Sequence, residues 1–386
     1  MSFHKQITIR GGGTQLVMGE GCPVAIQTMW KDKLSDQDIR GEGAKKTITR
    51  IEKLNRMGCR LLRFAVPDIE SAERLGKLAA MTHMPLVADI HFDYKIALRC
   101  LDFPIAKIRI NPGNIGSKEK AAQVLNKCAD KQVPIRIGVN AGSLSADLRN
   151  EVLSGALSKA EALVRSAERE LDFFDECNFS DVVVSMKASS ARETIEANTL
   201  FASSHQIPLH IGVTEAGPLI AGVVRNTAAL YHLLCQGTGD TIRVSLSDTM
   251  ENEVIAAREI LLAVDDHLGE LSPQKGHTLC GPDKAAAHRA REASVRIISC
   301  PRCGRAGFDT HQFTEKRQDE LYQLKKNISI AIMGCAVNGP GEARDADLGI
   351  TGAGDKVLLF KKGTITHSID RADADRAFRE ALSDYE

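Results

Sequence analysis

"PLVADIHFDYKIALRCLDFPIAKIRINPGNIGSKEKAAQVLNKCADKQVPIRIGVN", residues 85–140, decides the fold. It holds three short apolar runs, "PLVADIHF" (85–92), "AKIRINPGN" (106–114) and "PIRIGVN" (134–140). Between the second and third lies "KEKAAQVLNKCADK", with apolar residues at helical spacing. Near-continuous apolar strands joined by helices predict a parallel sheet covered on both faces. The unit recurs in both directions. Upstream are "PVAIQTM" (23–29) and "CRLLRFAV" (59–66); downstream are "DVVVSMK" (181–187), "PLHIGVT" (208–214) and "DTIRVSLSD" (240–248). Helical stretches separate them, among them "KKTITRIEKLNRMG", "SAERLGKLAAM", "KAEALVRSAERELDFF" and "AGVVRNTAALYHLLCQ", and "ENEVIAAREILLAVDDHL" follows the last. Several end at a glycine or just before a proline that opens the next strand.

Eight such units in about 250 residues predict an eight-stranded β/α (TIM) barrel. An open doubly wound sheet is the competing arrangement, but it seldom runs to eight regular repeats, and "GEGCP" is a poor Gly-rich first turn. The opening "QITIRGGGTQLVMG" reads as a hairpin closing the barrel's bottom. We therefore expect a substrate-binding barrel over 1–268, a linker over 269–290 and a small α+β domain over 291–386. In the last region "VRIISC", "ISIAIMGC" and "LGITGAGDKVLLFKKGTITHS" read as strands. "QFTEKRQDELYQLKKN" and "RADADRAFREALSDY" read as helices.

With 386 residues the chain exceeds the size at which one core usually stops growing. Lysine plus arginine equals aspartate plus glutamate at 50 each, so overall charge points to neither nucleic acid nor a membrane. The N-terminus has no long apolar core or small-residue cleavage site, and no stretch approaches the roughly 18 uncharged apolar residues of a membrane helix. The expected compartment is the cytoplasm.

Barrel active sites lie at the carboxyl ends of the strands. Polar residues expected there are Arg63, Asp89, His91, Lys107, Arg109, Asn111, Arg136, Asn140, Ser185, Lys187, Glu215, Arg243 and Ser245. Alternation puts Asp89 with His91 on one face, Lys107 with Arg109 and Asn111, and Arg243 with Ser245. Cations gathered at one low-dielectric mouth repel one another unless an anion sits among them. A small polyanion, most simply a diphosphate, satisfies that demand, and arginine's planar fork suits phosphate oxygens. Each cation taken singly could equally pair with an acid or reach to solvent. Glu215, a carboxylate in a cationic ring, is a candidate proton donor.

Cys59, Cys100, Cys128, Cys177 and Cys235 are scattered through strand and helix patterns and read as small buried hydrophobes. Cys300 and Cys303 in "SCPRCGR" and Cys335 in "MGCAVNGPGEA" form a pattern instead, one of metal or redox chemistry. Zinc would want a fourth nitrogen or sulfur, with His311 and His367 available. A cubane iron–sulfur cluster would retain one iron without a thiolate, open to a substrate oxygen.

"IISCPRCGR" and "IMGCAVNGPGEARDADLGI", preceded by "RINPGNIG" in an eight-unit barrel, resemble the bacterial 4-hydroxy-3-methylbut-2-enyl diphosphate synthase family of the non-mevalonate isoprenoid pathway. The resemblance covers nearly the whole chain. It implies a 4Fe–4S cluster held by Cys300, Cys303, Cys335 and Glu342. It implies reductive ring opening of 2-C-methyl-D-erythritol 2,4-cyclodiphosphate with loss of water. Arg63, Arg109, Asn111, Arg136, Asn140, Lys187, Arg243 and Ser245 would then bind substrate, Asp89 and His91 would line the pocket, and Glu215 would donate the proton. A flavodoxin or ferredoxin would supply electrons, and a homodimer would place each cluster domain over its partner's barrel. Arg302, where a small hydroxyl residue is expected, and a longer linker are the local departures. The readings from other classes are a barrel transferase with a structural zinc module and a non-catalytic protein that binds a phosphorylated metabolite.

Overall fold

The computed structural model describes residues 3–91, 93–110, 117–270, 295–301, 306–335 and 343–385. The chain divides into two compact units, Met1–Ala290 and Arg291–Glu386.

The first unit opens with a hairpin, β1 (Gln6–Gly11) and β2 (Thr14–Gly19), paired antiparallel with Gly11 opposite Thr14. Its two turn residues, Gly12 (φ 60°) and Gly13 (φ 73°), both take the left-handed conformation that a tight hairpin needs and that only glycine adopts cheaply. Ile7, Ile9 and Met18 on the hairpin pack against Leu61, Val87, Ala106 and Val183. The hairpin thus floors the barrel, as the sequence predicts.

The barrel strands are β3 (Ala25–Met29), β4 (Cys59–Ala65), β5 (Leu86–Asp89), β6 (Lys107–Ile110), β7 (Ile135–Asn140), β8 (Val182–Lys187), β9 (His210–Ile211) and β10 (Thr241–Ile242). Each runs parallel to its neighbours in chain order, and β10 pairs with both β9 and β3. The ring closes where Val184 bridges Leu209 and donates its N–H to Pro208 O at 3.0 Å. The predicted eight-stranded barrel is the fold.

Regular strand is shorter than the apolar runs, most of all in β9 and β10. Their backbones nevertheless keep bonding past the ladder: Arg243 N–H donates to Ile211 O at 3.1 Å and Thr214 N–H to Ala188 O at 3.0 Å. Proline at 208 offers no donor to β8, so pairing on that side rests on single bonds.

Outside the strands lie α1 (Gly41–Arg56), α2 (Ile69–Ala79), α3 (Tyr94–Cys100), α4 (Lys118–Lys131), α5 (Ala146–Leu153), α6 (Lys159–Glu176), α7 (Ala191–Ser204), α8 (Leu219–Cys235) and α9 (Met250–Glu270). Helix α4 has the bounds its periodicity predicts. Helix α6 starts at a reciprocal cap: Ser158 accepts the Glu161 N–H, and the Glu161 carboxylate accepts the Ser158 N–H at 2.8 Å. Cys59, Cys100 and Cys128 are buried as expected. Cys177 and Cys235 are half-buried instead, because each falls at the fraying end of a helix.

In the second unit β11 (Val295–Ser299), β12 (Ile328–Met333) and β13 (Leu348–Ala353) run parallel, and β14 (Lys356–Lys361) and β15 (Thr364–Asp370) continue the sheet antiparallel. Two helices, α10 (Thr310–Leu321) and α11 (Ala374–Ser383), cover one face, with Phe313 and Phe378 packed edge to face at 5.2 Å. The linker expected over 269–290 lies almost entirely outside the described residues. Among the described residues no helix is long and apolar enough to cross a membrane.

A cationic barrel mouth and a two-cysteine strand edge

Inward-facing positions of a parallel barrel are ordinarily filled by branched apolar residues. Here that holds only at the floor. Two residues above Leu61, Val87 and Val183 stand Arg63, Asp89 and Ser185, all buried. Lys107, Arg109, Arg136, Lys187, His210, Ser245 and, half-buried, Arg243 complete the interior.

Asp89 is the hub. Arg109 Nη1 donates to its Oδ1 at 3.1 Å, and Arg63 Nε lies 3.5 Å from Oδ2. The same Nη1 lies 2.9 Å from His91 Nε2, which itself stands 3.6 Å from Asp89 Oδ1. Burial by itself would raise the Asp89 carboxyl, but Arg63, the His91 ring and Arg109 outweigh it and hold it well below the usual range. The cations respond the other way. Burial lowers Arg63 to about 10, and burial together with neighbouring arginines pushes Arg136 and Lys187 well down.

Further contacts fix the ring. Arg136 Nη1 donates to Ser185 Oγ at 2.7 Å, Arg63 Nη2 to Met29 Sδ at 2.9 Å and Arg109 Nη2 to Gly138 O at 3.4 Å. Two glycines make room. A Cβ on Gly138 would lie 2.4 Å from Arg109 Nε, and one on Gly212 would lie 2.4 Å from Arg243 O and 2.9 Å from Lys187 Nζ. Neither glycine was singled out by sequence, although "PIRIGVN" and "PLHIGVT" repeat the same pattern one strand apart.

Glu253, on α9, is a second residue that pattern reading misses. It is buried and accepts from Thr28 Oγ1 at 2.5 Å, Lys31 Nζ at 2.5 Å and Leu246 N–H at 3.0 Å, with Arg243 Nη2 at 3.5 Å. One carboxylate thereby ties the first strand to the eighth and adds Lys31 to the rim. Its apolar neighbours on α9 hid it, since a helical glutamate usually faces water.

Glu215 follows β9 in the left-handed region at φ 51°, exposed and without an ion pair among the described residues. A non-glycine residue held there stores strain, as residues in functional loops do. Asn140 ends β7 half-buried, with Ser143 Oγ donating to its carbonyl at 3.1 Å. His91 is exposed at the rim. Asn111 lies outside the described residues. Sequence grouped Lys107 with the strand ends, but it opens β6 and lies fully buried below Arg109.

In the second unit, Cys300 and Cys335 follow adjacent parallel strands. Cys300 N–H donates to Ile332 O at 3.0 Å, and Cys300 Sγ stands 3.7 Å from where a Cβ of Gly334 would be. Gly307 N–H donates to Gly334 O at 2.8 Å, so the segment resuming after the second cysteine of "SCPRCGR" packs beside Cys335. Both cysteines are free thiols. His367 sits exposed on β15, the far edge of the sheet, and His311 is exposed on α10. Among the described residues no third histidine, cysteine or carboxylate joins the two thiols. Cys303 and Glu342 lie in the adjoining segments, outside the described residues.

The first unit is therefore a β/α barrel whose carboxyl-end mouth gathers buried cations, and the second carries two free thiols just past the ends of adjacent parallel strands. Profiles of the GcpE TIM-barrel domain and the GcpE protein C-terminal domain match residues 7–258 and 296–384. This chain belongs to the GcpE family. It is 50% identical to a Treponema denticola protein, over 96% of this chain and 93% of the relative. A Treponema pallidum relative is 47% identical over 95% and 88%, and one from Thermodesulfovibrio yellowstonii 40% over 96% of both. All three carry the name 4-hydroxy-3-methylbut-2-en-1-yl diphosphate synthase (flavodoxin).

Proposed function

We propose that this chain is an oxidoreductase that opens the ring of 2-C-methyl-D-erythritol 2,4-cyclodiphosphate. The C2–oxygen bond to phosphorus-bound oxygen breaks and the C3 hydroxyl leaves as water. Two electrons and a net proton are taken up, giving (E)-4-hydroxy-3-methylbut-2-enyl diphosphate. The observation that carries this is the set of inward cations, Arg63, Arg109, Arg136, Lys187 and Arg243, in a chain with no net charge.

The diphosphate bridges these cations, with Ser245, Asn140 and Asn111 donating to its oxygens. Asp89 and His91 line the pocket beside the carbon skeleton and keep Arg109 aimed at the phosphate. Glu215, exposed just past β9 and without an ion pair among the described residues, is placed to donate a proton to the departing hydroxyl. Asn111 enters on its place in "IRINPGN" alone.

Cys300, Cys303, Cys335 and Glu342 would hold a 4Fe–4S cluster. When bound, such a cluster would supply electrons singly, and Glu342 would be a weaker, more exchangeable ligand than the three thiolates. A flavodoxin, as the relatives' names state, or a ferredoxin recharges it. All eight described cysteines are free thiols, which suits the reducing cytoplasm.

Anaerobically purified protein should be brown, hold about four irons and four sulfides per chain, and convert the cyclic diphosphate only with reductant. Stoichiometric zinc without sulfide would instead support the transferase with a zinc module. Colour and iron without turnover would support a non-catalytic binder.

A further inference from the structure

Beneath the arginines the barrel interior stays polar. Lys107 from β6, His210 from β9 and Gln27 from β3 are all fully or almost fully buried. Lys107 Nζ, His210 Nε2 and both amide atoms of Gln27 have no hydrogen-bond partner among the described residues. His210 Nδ1 is occupied by Thr241 Oγ1 at 3.0 Å.

Charge around Lys107 comes from every side. Arg63 stands on β4, Asp89 on β5 with His91 just beyond it, Arg109 on β6, Arg136 on β7, Lys187 on β8, His210 on β9 and Arg243 just past β10. The carboxylates are spoken for. Asp89 serves Arg109 and Arg63, and Glu253 on α9 serves Lys31 and Arg243. Arginine does not release its proton in such a setting, whereas a buried lysine does. Of the two buried lysines here, Lys107 and Lys187, it is Lys107 whose Nζ is buried with no hydrogen-bond partner among the described residues. Burial, then Arg136 and Arg63, push the Lys107 ammonium well below its ordinary range.

We propose that Lys107 is the proton acceptor of substrate binding: neutral before the dianion arrives, it becomes an ammonium once the diphosphate is seated on the arginines above it. This rests on the diphosphate reading of the mouth and adds to it a residue that bears charge only in the complex. The chemistry of the ligand makes the step measurable. Each phosphorus of the ring carries one strongly acidic hydroxyl, unlike a terminal phosphate, whose second proton titrates near pH 6. The ligand therefore does not titrate near neutrality, and any proton taken up goes to the protein.

The test is calorimetric binding of the cyclic diphosphate to oxidised holoenzyme without reductant, at about pH 8, in two buffers of different ionisation enthalpy. Wild type should take up close to one proton, and its affinity should fall by up to about tenfold per pH unit above neutrality. Lys107→Met should bind with no proton uptake and a flat pH dependence. Lys107→Arg, permanently charged, should likewise show none. His210→Gln should keep the wild-type uptake.

Uptake that persists in both Lys107 variants, or that disappears in His210→Gln, overturns the assignment. Binding by wild type with no uptake overturns it equally. Absence of binding heat in wild type removes the diphosphate reading itself, and this inference with it, an outcome distinct from binding without uptake.

Discussion

Arg109 and Asp89 stand opposite each other on adjacent strands, and Arg109 Nη1 donates to Asp89 Oδ1 at 3.1 Å with both side chains buried. This pairing lets several cations share one barrel. A buried ion pair is an uncertain source of stability, but removing one partner costs about 3–5 kcal/mol because the other is left uncompensated. Asp89→Asn keeps the shape and removes the charge, so the barrel should be destabilised by up to that amount.

The pH dependence of that loss has a definite sign. The Asp89 carboxyl is held well below its usual range, so the folded protein binds this proton less readily than the unfolded chain. Its contribution is complete above the unfolded value of about 4 and is lost as pH falls from there toward the folded value. Trp30, the sole tryptophan, stacks on Phe64 at 5.4 Å and reports barrel unfolding alone. Denaturant unfolding followed by Trp30 should show a constant gap between wild type and Asp89→Asn from neutrality to about pH 5, narrowing below about pH 4. A gap unchanged at pH 3 would contradict the assignment.

The glycines beside the ring separate two kinds of crowding. At Gly138 the intruding Cβ meets the Arg109 side chain, which can swing aside; at Gly212 it meets the Arg243 carbonyl, which cannot. Gly138→Ala should fold normally and bind the cyclic diphosphate about 10- to 100-fold more weakly, the loss of one or two charge-assisted hydrogen bonds. Gly212→Ala should lower the unfolding midpoint as well, by the 1–3 kcal/mol or so typical of overpacking. Thermal unfolding and binding measured together distinguish them. Equal stability losses would mean that the two sites yield alike.

These glycines also mark where sequence reading stops. The eight-fold alternation is legible because strands buried on both faces are written as continuous apolar runs, and the cations are legible because they interrupt those runs. Depth is not. Lys107 and Arg109 differ by two positions in one strand, yet one lies at the pocket's edge and the other under it, a distinction set by barrel stagger. Glu253 escapes because it sits 225 residues from Thr28, which it accepts from. Cys300 and Cys335 were legible from spacing, but their adjacency comes from the parallel pairing of β11 with β12, which skips the intervening helix α10.

Helix α9 starts just past the carboxyl end of β10 and runs back antiparallel to the strands for 21 residues, about 30 Å at 1.5 Å per residue. The chain therefore leaves the barrel on the side of the β1–β2 hairpin, away from the cationic mouth. The resemblance of the sequence implies a homodimer in which each cysteine-bearing unit would serve its partner's barrel, and closed two-fold symmetry would then leave no mouth uncapped. Heterodimers of Cys300→Ser and Glu215→Ala chains, co-expressed and purified through two different tags, discriminate. With partner capping, one of the two sites pairs an intact barrel with an intact set of cysteines, and activity should be about half that of wild type. With capping inside one chain, each site carries one defect and the heterodimer should be as inactive as either parent.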